Sequence, residues 1–173
     1  ARSLYRVTAS VKAEKWDKKS FDGDEIGGKT LGLIGVGNIG KAVTRRAKAF
    51  GMKVYGNDIV DIDHVFITET GIEMTGLHFL LSNSDFVSIN CDLNPASHHL
   101  MNSDTFALMK STAVLINAAR GPIVEEKALI EALQSKRLAG AALDVFEVEP
   151  LPLDSPLMKM DNVLLAPHNS NSS

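Results

Sequence analysis

Short apolar runs bounded by glycine or polar residues alternate along this chain with stretches whose apolar residues recur every three or four positions. Thr30–Ile34 is apolar at nearly every position, the pattern of a strand buried on both faces. Residues 38–50 place Ile39, Val43, Ala47 and Phe50 on one inward side of a helix, and Gly51 follows as its stop. Strands are expected at 53–57, 72–74, 85–89, 113–116, 141–146 and 163–165. Helices are expected at 77–81 and 125–136, the second with Ala128, Leu129, Ala132 and Leu133 inward. Residues 1–15 read as a mildly amphipathic helical arm, and 17–29 as a polar stretch with glycines. Residues 59–71 fit neither period, and no internal repeat is present.

Regular alternation of strand and helix predicts a parallel sheet with helices on both faces. Right-handed crossovers then favour an α/β, doubly wound, Rossmann-type arrangement. The 173 residues suit one domain, and a hydrophobic fraction of 45% is enough for a full core. A net charge of −3 with interspersed signs argues against nucleic acid held on a basic face. No apolar run reaches the ~20 residues of a membrane span, and the start carries no signal-peptide pattern, so a cytoplasmic location is the default. Cys91 is the one cysteine, which excludes an internal disulfide. The chain starts at Ala1 without Met and stops shortly after a Pro-His pair, so both ends read as cuts from a longer protein.

Gly35-Val36-Gly37-Asn38-Ile39-Gly40 fits G-x-G-x-x-G and lies between an expected strand and an expected helix. Gly35 allows the tight turn, Gly37 lets a pyrophosphate approach the backbone, and Gly40 lets helix and strand pack closely. Free N–H groups and the helix dipole would hold the phosphate charge. A ligand-free glycine turn is the alternative, and the strand-to-helix context favours a dinucleotide. Asp58 ends the second strand at about the ~20-residue offset of a ribose-binding acid. It would accept hydrogen bonds from both ribose hydroxyls and repel the extra phosphate of NADP. Ile59 and Val60 follow, with no arginine to bind that phosphate, so NAD is preferred. The alternative for Asp58 is a turn residue at a strand end.

Three polar residues follow late strands, where an open α/β sheet places its ligand crevice: Arg120, Glu149 and His168. Around them stand Ile116-Asn117-Ala118-Ala119-Arg120-Gly121, Ala142-Leu143-Asp144-Val145-Phe146-Glu147-Val148-Glu149-Pro150 and Pro167-His168. With the glycine motif, these blocks resemble the NAD-binding domain of the D-isomer-specific 2-hydroxyacid dehydrogenase family, in the family's order and over nearly the whole chain. The resemblance implies that Arg120, Glu149 and His168 are catalytic and that a substrate domain, the family's other half, is missing here. It implies contact of Asp144 with the nicotinamide carboxamide. It also implies that Cys91 and Asp92 line the crevice, with Ala118 and Ala119 beside the ring. The pattern is most similar to 3-phosphoglycerate dehydrogenases, with glyoxylate or hydroxypyruvate reductases close behind. Pairing into a homodimer rests on the resemblance alone.

Chemistry agrees with these roles. A histidine with an ordinary pKa of ~6.5 suits removal of a hydroxyl proton. Glu149 could fix its tautomer, and the fork of Arg120 could bind a substrate carboxylate. The plainer alternatives are a surface ion-pair role for Arg120 and a loop role for His168. Glu147 reads as a solvated loop charge, and residues 125–127 as an exposed helix start. His64, His78, His98 and His99 read as surface or packing residues, and Cys91 as a small buried apolar one. No cluster has metal-ligand spacing.

Three departures from the family pattern are expected to matter. Asn38 stands where arginine is frequent, Asp92 where proline is common, and residues 169–173 replace a glycine-containing run. The first would lose one cationic contact to pyrophosphate, and the last touches the catalytic loop and leaves the subfamily open. An NAD-regulated corepressor of the same fold is an alternative. An L-specific lactate or malate dehydrogenase lacks the order Arg120, Glu149, His168. The chain alone is expected to bind NAD and turn over little substrate.

Overall fold

The computed structural model describes residues 4–16 and 23–170. The outer residues of the expected arm, 1–3, part of the polar stretch, 17–22, and the last three positions lie outside them. The elements in chain order are α1 (Leu4–Lys12), β1 (Thr30–Ile34), α2 (Asn38–Ala49), β2 (Lys53–Asn57), α3 (His64–Thr70), β3 (Glu73–Met74) and α4 (Leu77–Asn83). There follow β4 (Phe86–Ile89), α5 (Ser103–Leu108), β5 (Val114–Asn117), α6 (Glu126–Gln134), β6 (Gly140–Leu143) and β7 (Val163–Leu165). Single 3-10 turns occupy Gly121–Ile123 and Pro156–Lys159.

The strands form one seven-stranded sheet in the order β3-β2-β1-β4-β5-β6-β7, every pair parallel. The order reverses between β1 and β4, the switch point of a Rossmann-type fold. Register decides where the strands stop. Ile34 pairs with Asn57 and with Ile89, Ile89 with Asn117, Asn117 with Leu143, and Leu143 with Leu165. Six strands therefore end on one row, and their next residues emerge side by side along it.

Two apolar clusters sandwich the sheet. Leu31, Leu33, Val36, Val54 and Phe66 pack on the α2–α3 side, and Leu80, Val87, Ile89, Phe106, Leu115 and Leu129 on the α4–α6 side. The predicted inner face of α6 is buried as expected. The inner face of α2 is not the predicted one. Its buried residues are Gly40, Thr44 and Ala47, whereas Ile39 and Phe50 are each 65% exposed. The cause is close packing: a Cβ on Gly40 would lie 2.3 Å from the carbonyl oxygen of Gly35, so small residues take the inward side.

The unassigned segment 59–71 contains α3, capped by the Asp63 side chain accepting from Val65 N–H and stopped by left-handed Gly71. α5 also escaped prediction; Asn102 and Thr105 form a reciprocal capping box at its start. β6 ends at Leu143, earlier than expected, because only the Asp144 N–H still reaches back, to Asn117, before the chain turns away. Among the described residues, no helix is long and apolar enough to cross a membrane.

Asp85 ties three elements together. One oxygen accepts from Thr30 N–H (2.8 Å), the other from the Lys110 ammonium (2.9 Å). Burial pushes this carboxyl up, but the Thr30 amide and Lys110 outweigh it and hold it below the ordinary aspartate value. Its share of stability is therefore complete above the unfolded-state value and lost as pH falls through the lower folded one. Asp85→Ala should cost about 1.5–3 kcal/mol in urea unfolding near pH 7 and less in acid; an equal cost at both would refute the ion pair's role.

Candidate functional site

The row of strand ends carries nearly every residue the sequence singled out. After β1, Gly35 adopts a φ of +94° that glycine alone accommodates easily, and a Cβ there would lie 2.5 Å from Cys91 N. Gly37 is exposed, and a Cβ on it would meet nothing within 4 Å. It caps α2 with no side-chain hydrogen bond to the helix start. Asn38 and Ile39 begin the helix, both exposed. Uncapped amides at an open, dipole-positive helix start fit a diphosphate.

Asp58 lies half-buried directly beyond β2. Its Oδ2 accepts from Val36 N–H at 2.6 Å and its Oδ1 from Val60 N–H at 3.1 Å. The acid is thus fastened to the glycine loop, with Ile59 (85%) and Val60 (62%) exposed beside it. This is the geometry a ribose-reading carboxylate needs, next to the loop that would hold the phosphates.

Beyond β4, Cys91 is half-buried; burial, then the charges of Asp58 and Asp92, push its thiol up, so it packs as a neutral group. Asp92 is exposed, and its carbonyl accepts from Ser97 Oγ (2.7 Å). Beyond β5, Asn117 is a residue the sequence reading missed. It is 1% exposed, its Oδ1 accepts from Ala119 N–H (3.1 Å), and its Nδ2 donates to the Arg120 carbonyl (3.0 Å). One buried amide therefore shapes the turn that presents Ala118, Ala119 and Arg120. The signal was a lone amide closing an apolar strand. The Arg120 guanidinium is exposed and donates to the Ala119 carbonyl at 2.7 Å.

A histidine–carboxylate contact lies beyond β6 and β7. Glu149 Oε2 stands 2.8 Å from His168 Nδ1, and its Oε1 accepts from Phe146 N–H at 3.0 Å. The His168 hydrogen bond first, then the Phe146 amide, hold the Glu149 carboxyl below the usual glutamate range, against the opposing charge of Asp144. An ionised carboxylate can only accept, so Nδ1 carries the proton and Nε2 is the atom left for exchange. His168 itself has a φ of +53°, uncommon for a non-glycine residue. Asp144, 7% exposed, secures that bend: Oδ1 accepts from Asn169 N–H (3.0 Å) and Oδ2 from Ser170 N–H (2.9 Å).

Not all expected residues meet. Glu149 and His168 touch, whereas Arg120 stands along the same row and bonds within its own turn. A concavity of about 640 Å³ adjoins the dyad, lined mainly by apolar residues including Phe146, Leu151, Met158 and Leu165. No glycine-loop residue lines it, so it is separate from the proposed phosphate end. Two expectations need correction. Glu147 is half-buried and hydrogen-bonded to His99 rather than solvated, because its turn folds back onto α6. Glu126, expected in an exposed helix start, is half-buried against that same turn.

The profile of the D-isomer-specific 2-hydroxyacid dehydrogenase NAD-binding domain matches residues 1–170. The chain is 44% identical over 174 residues to D-3-phosphoglycerate dehydrogenase of Methanocaldococcus jannaschii, covering 100% of this chain and 33% of that protein. It is 44% identical over 158 residues to a glyoxylate reductase of Korarchaeum cryptofilum, covering 91% and 47%. A crystal structure of a glyoxylate reductase from Paecilomyes thermophila superposes with a TM-score of 0.89 at 34% identity, covering 98% of this chain and 51% of that one. The chain thus spans from about a third to about half the length of these relatives.

The Asp144 contacts make a direct prediction. Asp144→Ala should speed amide exchange at Asn169 and Ser170 about tenfold or more, the scale of a charge-assisted hydrogen bond. Unchanged protection in hydrogen-exchange NMR would refute its hold on the His168 bend.

Proposed function

The chain belongs to the D-isomer-specific 2-hydroxyacid dehydrogenases, as their NAD-binding domain, and from this premise we propose that it is the cofactor half of an oxidoreductase acting on a D-2-hydroxy acid. The observation that carries the reading is the 2.8 Å contact between Glu149 and His168, one and two strand ends along from a buried asparagine that shapes the Arg120 turn.

The roles follow from the chemistry of each group. Amides at Gly37, Asn38 and Ile39 hold the diphosphate, and Asp58 accepts from the ribose hydroxyls with the lone pairs its loop bonds leave over. Gly35 and Gly40 keep the loop tight. Cys91, Asp92, Ala118 and Ala119 line the crevice between the ribose and the ring. Asp144 has acceptor capacity beyond its two backbone bonds and meets the carboxamide. NAD, when bound, supplies the hydride acceptor. His168 Nε2 takes the proton of the substrate hydroxyl, and Glu149 stabilises the resulting imidazolium through Nδ1. Arg120 swings from the Ala119 carbonyl to clamp the substrate carboxylate, and in the reverse direction polarises the keto oxygen.

Within this class we favour 3-phosphoglycerate as substrate. Identity to the M. jannaschii enzyme along the whole chain supports it. Glyoxylate or hydroxypyruvate is the neighbouring choice, supported by equal identity to a glyoxylate reductase over slightly less of the chain. The substrate domain that would decide between them is proposed to lie in the rest of the protein.

Calorimetry on this chain should detect NADH binding in preference to NADPH. Asp58→Ala should weaken NADH by roughly tenfold, about 1.4 kcal/mol, and narrow that preference; an unchanged preference would remove Asp58 from cofactor selection. In the whole protein, NADH oxidation with a panel of 2-keto acids should reveal turnover, and its absence with every acid would favour a binding module. There, His168→Ala should lower kcat by about 10²–10⁴ with little change in cofactor affinity. A wild-type kcat would exclude His168 as the proton acceptor.

A further inference from the structure

Three crevice loops converge on a carboxylate that the proposed chemistry leaves unused. Glu147 Oε1 lies 2.5 Å from His99 Nε2, in the loop after β4. Its Oε2 accepts from Glu126 N–H at 3.0 Å, at the start of α6, and Glu126 Oε2 accepts in return from Glu147 N–H at 3.4 Å. The His99 loop is itself tied to the loop after β5: His99 N–H donates to the Pro122 carbonyl (2.9 Å), and Met101 N–H to the Ile123 carbonyl (3.0 Å). The loops after β5 and β6 are in backbone contact at the same place. A Cβ on Gly121, next to Arg120, would lie 1.8 Å from the Phe146 carbonyl oxygen. His99 keeps a left-handed φ of +50°, with the His98 ring stacked on it at 4.0 Å.

We infer that Glu147 is a positioning residue: gripped by His99 and by the start of α6, it holds the turn 146–149 in the form that presents Glu149 to His168, and locks that turn to the loop bearing Arg120. The inference deepens the proposed function and rests on it, since the Glu149–His168 dyad is the one assigned there. The short span of the turn is the reason. Phe146 N–H donates to Glu149 Oε1, and Glu147 sits between those two residues, so anything that fixes Glu147 fixes both ends of that hydrogen bond. Burial first, and then the Glu147 carboxylate, push the Glu126 carboxyl up, against the Glu147 N–H that it accepts. The two carboxylates repel each other, and the His99 ring on the other oxygen of Glu147 holds that side chain in place.

The test reads the Glu149 carboxyl itself, by carbon-detected NMR titration of this chain, with Glu149→Gln as the assignment control. The groups facing that carboxyl are the His168 imidazole, the Phe146 amide and, repulsively, Asp144. In the wild-type chain Glu149 should titrate below the ordinary glutamate range. Glu147→Ala should raise that midpoint by about half a pH unit or more as the Phe146 bond loosens. Glu147→Gln keeps an acceptor for Glu126 N–H and should restore most of the depression, and His99→Ala should give a smaller rise. A folded Glu147→Ala chain with a wild-type Glu149 midpoint would overturn the inference. If that variant does not fold, His99→Ala decides: a rise supports the inference and an unchanged midpoint overturns it. NADH calorimetry on the same samples separates the two readings, because failure to bind cofactor would sink the proposed function and leave the Glu149 result standing.

Discussion

A parallel sheet cannot return its chain through tight hairpins; each strand needs a crossover, and all strands point the same way. Here the register adds a second constraint, because six strands finish on one row. The candidate site is a consequence of that row. Gly35 emerges from β1, Asp58 from β2, Cys91 from β4, Ala118 to Arg120 from β5, Asp144 to Glu149 from β6 and His168 from β7. Residues up to 133 positions apart in sequence (168 − 35) become neighbours along one line without any long side chain having to reach.

What keeps these loops from dispersing is carboxylate chemistry. Asp58, Asp144, Glu147 and Glu149 each accept at least one main-chain N–H from the same neighbourhood. Loop amides that leave a sheet lose their ladder partners, and leaving them unpaired costs about 1–3 kcal/mol each when buried. Acids at the ends of strands recover that loss, and a charged acceptor gives a stronger bond than a neutral one. The Glu149 carboxyl is held low first by its hydrogen bond to His168 and then by the Phe146 amide; for Asp144, burial acts the other way, but the Ser170 and Asn169 hydrogen bonds and the His168 charge outweigh it. Asp144 and Glu149 therefore stay ionised, the state in which Asp144 can hold its loop and Glu149 an imidazolium.

The strands and the glycine loop were readable because each rests on a local pattern, apolar runs and three glycines at fixed offsets, and the doubly wound arrangement followed from the alternation of strand and helix. Glu149 and His168 were readable through the blocks that surround them. α3 was not, because His64–Thr70 is rich in β-branched residues with poor helical preference, although Asp63 and Gly71 marked its ends. Ile39 and Phe50 were misplaced because spacing alone cannot tell which face a helix presents when a glycine sets its distance from the sheet. Glu147 was misread, and the partner of His99 was not foreseen, because their pairing joins loops 48 positions apart and no pattern in one stretch records a partner in another. Asn117 belongs with them: its value lies in two backbone groups that only the folded turn brings within reach.

The bond from Val36 N–H to Asp58 has a practical corollary for anyone wishing to retune this domain. The carboxylate that would read the sugar is also a strut of the turn beside it, so selectivity and scaffold share one side chain. Swapping it for a small neutral residue, the obvious route to a different dinucleotide, would strip the turn of a support as well as admit an extra phosphate. A successful redesign has to supply Val36 with another acceptor first, and only then rebuild the pocket for the larger guest.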